Sequence, residues 1–394
     1  MIGAGWEQHA LFGKIKERGH YIVATHPQAN ADSFSLADAT YVKDSRDIRA
    51  HVAIAQTYDI DAVITDNCDY SLYTASVVAS KFGLPCASVK SALFSNDKFS
   101  QREACFRAGV LQPEFYKVRS PEETIEAANK IGYPVVIKPV DSRGTFGVTI
   151  VNNAKEVGDA YLDAVFHSPG LTLICEKFIE GDLVTVDGFC FSNGHQSLTV
   201  ASRKFSGGKK PVTKSVSYPS RYDDEIKFRL LQNHQLVVEA LGYDFGHTHG
   251  EYFVTKNKEI YLVECANRGA GVYTSSTINP LITDIDLNGI FLDQALGEDH
   301  YKISHNKKNY MCRAAMLSFL DFEVGKVIKK INLDEVRKLP FVLKFRTIYT
   351  EKQMVESIEN CASRHAMLVV EGASMDELSS NFDSVQSILK VEYY

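Results

Sequence analysis

The chain has 394 residues, a net charge of −6, and 45% hydrophobic against 23% charged residues. That length exceeds one ordinary core and predicts two or three domains of a globular protein. The negative balance argues against a nucleic-acid partner, because phosphates need a basic surface. With no apolar run long enough to span a bilayer and no signal peptide, a cytoplasmic protein without a membrane partner is expected. The eight cysteines at 68, 86, 105, 175, 190, 265, 312 and 361 lack CxxC spacing, so reduced thiols are expected and a zinc site is not.

Residues 1–92 alternate strand and helix, the pattern of an open parallel α/β sheet. The first strand, Met1 and Ile2, is short enough that further residues upstream are expected. Gly3 and Gly5 make a turn but lack the third glycine of the dinucleotide fingerprint. A structural turn is therefore expected, and a nicotinamide enzyme is not. A helix to Arg18, a strand at 21–25, a helix at 47–58, a buried parallel strand at 62–65 and a helix at 73–82 follow.

NDKFSQREACFR, 96–107, reads as one helix capped by Asn96 or Asp97. Pro121 opens another, to Lys130, in its favoured first-turn position. GYPVVIKP, 132–139, is a buried strand closing on Lys138, and a lysine there is seldom buried without a partner. DSRGTFG, 141–147, follows, and 148–151 is the returning strand. A glycine loop with a lysine at its mouth suits folding over a triphosphate, its N–H groups meeting oxygens. An ordinary hairpin loop is the alternative. LTLICEKFIEG, 171–181, is a strand ending in a turn; 184–191 and 197–201 flank a hairpin turn at Asn193 and Gly194. The basic run at 203–220 is a substrate loop or a solvated one, with Arg203 and Lys204 the best candidates for contact. Helices at 225–242 and 284–296 precede a compact α/β tail, with strands near 312–319, 342–346 and 366–370.

HTHGEYFVTKNKEIYLVECANRGAG, 247–271, carries the densest chemistry. Two strands rich in β-branched and aromatic residues flank a two-residue turn expected at Asn257 and Lys258. That register pairs Thr255 with Ile260 and sets Glu251 opposite Glu264. Opposed Cβ atoms stand about 5 Å apart, where like charges repel, so the pair needs a shared proton or a cation. Mg²⁺ suits it, using one or two carboxylates and completing its shell with waters and phosphates. Two unrelated glutamates on a solvent-facing hairpin are the alternative. His247, His249 and Glu251 share one strand face. Arg268 and the bare backbone of Gly269 to Gly271 follow, where an anion can approach.

Together these pieces resemble the ATP-grasp superfamily, in the branch of biotin carboxylase, carbamoyl-phosphate synthase and the carboxylate–amine ligases. The resemblance spans essentially the whole chain. It implies a pre-ATP-grasp α/β domain at 1–92, an ATP-grasp domain at 93–300 with a mobile lid at about 113–175, and a C-terminal domain at 301–394. It assigns Lys98 and Lys138 to ATP phosphates, the 142–147 loop with Ser142, Gly144 and Gly147 to the same phosphates, and Glu176, Lys177 and Phe178 to the adenine hinge. Glu251 and Glu264 become ligands of Mg²⁺ or Mn²⁺, and Arg268 faces the acyl phosphate. Arg203, Lys204, His249, Asn267, Gly269 and Gly271 become substrate contacts. Two positions depart from the pattern. Leu183 stands where a ribose-binding glutamate is usual, leaving Asp182 as a substitute. Ala266 holds the place of the metal-site asparagine, with Asn267 shifted by one. The implied activity is an ADP-forming ligation of a carboxylate, activated as an acyl phosphate, to an amine. An amino acid is expected as one substrate and a homodimer as the assembly. Another acyl-phosphate enzyme, of carboxylase or carbamoyl-phosphate synthase type, and a non-catalytic nucleotide-binding protein remain as alternatives.

Overall fold

The computed structural model describes residues 1–142, 144–205, 212–298, 300–302, 313–358 and 360–394. At the N-terminus Val23–His26 pairs in parallel with Ala39–Val42, and Ile2 adds a single bridge to Thr25. The strand expected at 62–65 does not form. That stretch runs extended beside Ile2, holding it through Ile2 N–H to the Ile64 carbonyl, but builds no ladder. Its apolar residues are buried all the same, Val63 in one core cluster and Ile64 in another.

The helix expected at 96–107 forms as Lys98–Arg107 with Asp97 as its cap, and a further helix, Val89–Asn96, precedes it. Asp97 separates them: its backbone is extended and its carboxylate accepts from Phe99 N and Ser100 N. A capping aspartate satisfies the orphan donors of a new first turn, so the chain stops and restarts there. This placement puts Lys98 at the start of a helix whose next turn carries Arg102.

Two sheets frame the site. The smaller is antiparallel, in the order Phe115–Val118, Leu173–Lys177, Val135–Pro139, Thr149–Val151. Helices Pro121–Ile131 and Val157–Phe166 pack on it through their own core, which includes Val135, Ile137, Ala128 and Ala164. The larger has eight strands, in the order Ile260–Ala266, Gly246–Val254, Asp182–Phe191, Gly194–Phe205, Thr213–Tyr218, Ala314–Leu320, Ala366–Gly372, Val342–Thr347. Helix Asp224–Leu241 covers one face against Val184, Val186 and Val200. The strands from the tail of the chain thus continue this sheet, because Ala314–Leu320 pairs directly with Thr213–Tyr218.

The 203–220 run is not a loop over its described part. Arg203 to Phe205 finish one strand and Thr213–Tyr218 forms the next, with Arg203 opposite Val216; 206–211 lie outside the described residues. Sheet neighbours on both sides override the polar composition that argued for solvent. No described helix is long and apolar enough to cross a membrane.

Gly246 has φ +66°, and a Cβ there would stand 2.5 Å from the Phe291 ring. Gly83 has φ +69° and open space around it. Gly83→Ala should lose about 1 kcal/mol of stability for the left-handed backbone alone. Gly246→Ala should lose roughly 2–4 kcal/mol in urea denaturation, because the ring must move as well. Equal losses would contradict the packing of Phe291 on the Gly246–Val254 strand.

Candidate functional site

Glu251 and Glu264 do oppose each other, by a different route from the expected one. Val254 pairs with Ile260, so 255–259 form a longer connection than two residues, and Lys258, not Asn257, takes φ +62°. A register irregularity after Glu251 then skips Val263 and restores Glu251 to Glu264. The bulge cancels the shift made at the turn.

Each carboxylate has its own cation. Lys98 Nζ lies 3.1 Å from Glu264 Oε2 and donates to the Ser142 carbonyl at 2.7 Å. Arg203 Nη1 lies 2.8 Å from Glu251 Oε1, and His249 Nε2 approaches the same oxygen at 3.7 Å. His249 Nδ1 meets Asp187 Oδ1 at 2.7 Å, and the Tyr218 hydroxyl donates to Asp187 Oδ2 at 2.9 Å. Burial works against charge on His249, but Asp187 and then Glu251 outweigh it and hold its pKa up at about 9. Burial would likewise raise the pKa of Glu251, yet Arg203 and His249 hold it well below the carboxylate range. Lys204, next along the strand, faces the opposite side of the sheet with Ser215 and Ser318 and is not brought to the glutamates.

Lys138 ends in a buried triad. Its Nζ lies 2.5 Å from Glu176 Oε1, while Arg102 Nη2 lies 3.1 Å from Glu176 Oε2 and donates to the Val263 carbonyl at 2.8 Å. Arg102 is 1% exposed, Lys138 and Glu176 each 5%, so this is interior chemistry. Both oxygens of Glu176 are held by cations, which makes it an anchor of Lys138. Burial lowers the pKa of Lys138 despite Glu176. The sequence reading missed Arg102; its signal was the spacing of four from Lys98 on one helix face.

Around the hinge, Lys177 Nζ donates to the Gly132 carbonyl at 2.7 Å and Phe178 N to the Pro134 carbonyl at 3.3 Å. Asp182 is engaged by Arg221 and by the Tyr222 hydroxyl at 2.7 Å. In the glycine loop Asp141 accepts from Ser168 Oγ and Gly170 N, fixing the loop's first end. Gly144 and Gly147 take φ +64° and +69°, and a Cβ on Gly147 would stand 3.0 Å from Ala164 Cα. Arg143 of this loop lies outside the described residues.

Arg268 Nε donates to Asp69 Oδ1 at 3.0 Å, an oxygen that also accepts from Ser95 Oγ. Asn267 turns away from the glutamates, its Nδ2 donating to the Phe245 and His247 carbonyls. It is 3% exposed, and its buried Oδ1 has no hydrogen-bond partner among the described residues. The Gly269 N–H is not open to an anion, because it donates to Asp66 Oδ1 at 2.8 Å. Gly271 faces Glu7 instead, with a Cβ there only 2.9 Å from Glu7 Oε1. Glu7, Asp66 and Asp187 carried no local signal in the sequence.

Asp69, Lys98, Asp141, Ser142, Glu264 and Arg268 line one small cavity of about 50 Å³. The donor set fits a hard dication beside an anionic ligand. The ion pairs use Oε1 of Glu251 and Oε2 of Glu264, leaving one oxygen of each without a partner among the described residues. Among those residues no cluster of three or more His, Cys, Asp or Glu is placed to hold a metal. An ion here therefore needs waters and substrate oxygens to complete its shell, as Mg²⁺ does.

Comparison with known proteins agrees with this architecture. Residues 131–276 match the ATP-grasp domain, and the chain carries an ATP-grasp fold. It is similar to alanine–anticapsin ligase of Bacillus subtilis strain 168, 25% identical over 242 residues that cover 56% of this chain and 51% of that one. It is also similar to formate-dependent phosphoribosylglycinamide formyltransferase of Erythrobacter litoralis, 25% identical over 300 residues, 73% of this chain and 75% of that one. The crystal structure of L-amino acid ligase from Bacillus licheniformis superposes with a TM-score of 0.83 at 16% identity, covering 100% of this chain and 98% of that one. The chain spans about half the length of the alanine–anticapsin ligases it matches.

His249 gives the protein a pH signature. Its folded pKa of about 9 exceeds the unfolded value of about 6.5, so its stabilisation is complete below pH 6.5 and is lost as pH rises through 9. In metal-free protein this slope should amount to roughly 3 kcal/mol between pH 6.5 and 10. His249→Gln should remove it; parallel stability curves for the two proteins would contradict the buried Asp187–His249 pair.

Proposed function

We propose that the protein is an ATP-dependent, ADP-forming ligase that joins a carboxylate to an amine with Mg²⁺ as its metal. The observation that carries this is Glu251 opposed to Glu264, each with one oxygen unpartnered among the described residues, with Glu264 lining one cleft beside Lys98 and Arg268. The bound dication supplies neutralisation of charge on the phosphates during transfer. Lys98 and Lys138 hold phosphate oxygens, with Glu176 and Arg102 fixing Lys138 in place. The 142–147 loop, tied to Lys98 through Ser142, covers the phosphates and excludes water. A carboxylate oxygen attacks the γ-phosphorus as the bond to ADP breaks. The amine nitrogen then attacks the acyl carbon, phosphate departs with the bonding electrons, and the nitrogen loses a proton. Arg268, held by Asp69, offers its planar fork to the carboxylate and then to the acyl phosphate.

The similarity to enzymes named as ligases supports this activity, and those names support an amino acid as one substrate. Division of the chain at 92 and 300, with 113–175 as a lid, belongs to the same proposal; the separate core of the small sheet supports the lid alone. Phosphate release from Mg-ATP, assayed over amino acids singly and in pairs, should require a carboxylate and rise when an amine partner is added. Glu264→Ala and Lys138→Met should each lower it at least about 100-fold. Release that needs no carboxylate, or that survives Glu264→Ala, would contradict the proposal.

A further inference from the structure

On the face of the large sheet turned away from Glu251, the covering is uneven. Helix Asp224–Leu241 packs on Val184, Val186 and Val200, and helix Met375–Ile388 packs through Leu378 and Val385 beside Leu368 and Val370. Thr213–Tyr218 and Ala314–Leu320 lie between the strands so covered, and a groove of about 760 Å³ opens over them. Register puts its floor on that same face, because Ser202, two residues after Val200, stands opposite Ser217, and Ser217 opposite Met316. The floor changes character where the helices leave it. Under them it is aliphatic; in the groove it carries Ser215, Ser217 and Ser318.

Lys204, Ser215 and Ser318 form a row, each directly opposite the next across three adjacent strands. Opposed Cβ atoms stand about 5 Å apart, close enough for neighbours in the row to share one acidic group. Ser215 is 8% exposed and Ser318 4%, yet among the described residues neither hydroxyl has a hydrogen-bond partner. Polar groups that deep are ordinarily bonded, and these open onto the groove, each with a donor to offer. Lys204 forms no ion pair among the described residues. Lys214 also lines the groove but is paired with Asp321 at 2.5 Å. Two lysines against one aspartate leave the lining with an excess of positive charge. The rest of the lining is largely apolar, with Met316, Leu320, Met375, Phe382 and Leu389. Pockets for small ligands, roughly 300–1,000 Å³ in volume, share this build of apolar walls and a few convergent polar groups, and methionines let such walls adapt.

We propose that this groove is a binding site for an amphipathic organic anion. Its acidic head, a carboxylate or a phosphate, rests on Lys204 and the hydroxyls of Ser215 and Ser318, and its hydrocarbon part lies against Met375, Phe382 and Leu389. An apolar protein surface docked here would strand the two buried hydroxyls, whereas an anionic head satisfies them. The site stands apart from the ligase activity proposed above and does not depend on it. It backs onto the glutamate pair all the same: Arg203, the residue before Lys204, turns to the other face and holds Glu251.

Anilinonaphthalene sulfonate, a fluorescent amphipathic anion, serves as the reporter. Wild-type protein should bind it, and octanoate or octyl phosphate should displace it at least about 10-fold more effectively than octylammonium or octanol. The stronger competitor of the two acids identifies the head as carboxylate or phosphate. Lys204→Gln and Ser318→Val should each weaken binding of that acid about 10-fold, while Lys155→Gln, which removes an exposed lysine outside the groove, should leave it unchanged. Lys204 is itself exposed, so Lys204→Gln should keep the wild-type thermal unfolding and carries the comparison even where Ser318→Val fails to fold. An affinity unchanged by Lys204→Gln and by folded Ser318→Val, competition by octylammonium equal to that of the acids, or no displaceable binding at all would overturn the site. Sedimentation showing a dimer that Phe382→Glu dissociates would overturn it too, because a second copy would then fill the groove.

Discussion

Two like charges held opposite each other organise this molecule. Glu251 and Glu264 face across adjacent strands, where their repulsion at about 5 Å would be roughly 3 kcal/mol at an effective dielectric constant of 20. The protein answers with cations from separate stretches: Lys98 from the start of a helix, Arg203 from a strand, and His249 backed by Asp187. Each answering group in turn constrains something else. Lys98 ties down Ser142 at the mouth of the glycine loop, and Asp187 takes the hydroxyl of Tyr218 from the fifth strand of the large sheet. A dication shared by the free oxygens would meet a pair already oriented and already partly neutralised.

The two sheets are joined by a second buried charge system. Arg102 spans from the Val263 carbonyl in the large sheet to Glu176 in the small one, and Glu176 holds Lys138. Buried ion pairs of this kind add little net stability when intact, but removing one member costs about 3–5 kcal/mol because the others remain uncompensated. Their value here is positional. Lys138 ends an apolar strand, and without Glu176 its ammonium would have no anionic partner in a nearly dry setting.

The legible parts of the sequence were those with local signals. The cap at Asp97, the apolar strand closing on Lys138, the glycine loop and the opposed glutamates all lie within short stretches whose chemistry is self-contained. The hairpin is instructive, since its turn was placed wrongly and the pairing of Glu251 with Glu264 still emerged. Alternation constrains which side chains share a face more tightly than it constrains the turn, and a single bulge absorbed the difference. The illegible parts depend on partners far along the chain. Arg102 meets Glu176 74 positions away, and Glu7 meets Val272 265 positions away. Spacing from Lys98 places Arg102 on the same helix face, but nothing near Arg102 or Glu7 announces a partner so far along the chain. Arg203 was obscured differently: its basic, glycine-containing surroundings read as solvated loop, but neighbouring strands supply the ladder that the local composition argues against. The 62–65 stretch fails in the opposite sense. It has strand composition and is largely buried, yet among the described residues its backbone bonds only to Ile2.

The placement of the metal is open to direct observation. A crystal grown with ADP and Mn²⁺, with data collected at the manganese absorption edge, should show one or two anomalous peaks within about 2 Å of carboxylate oxygens of both Glu251 and Glu264, beside the diphosphate. A manganese peak elsewhere, or ADP bound in the cleft with both glutamates still paired only to Lys98 and Arg203, would contradict the assignment on which the proposed chemistry rests.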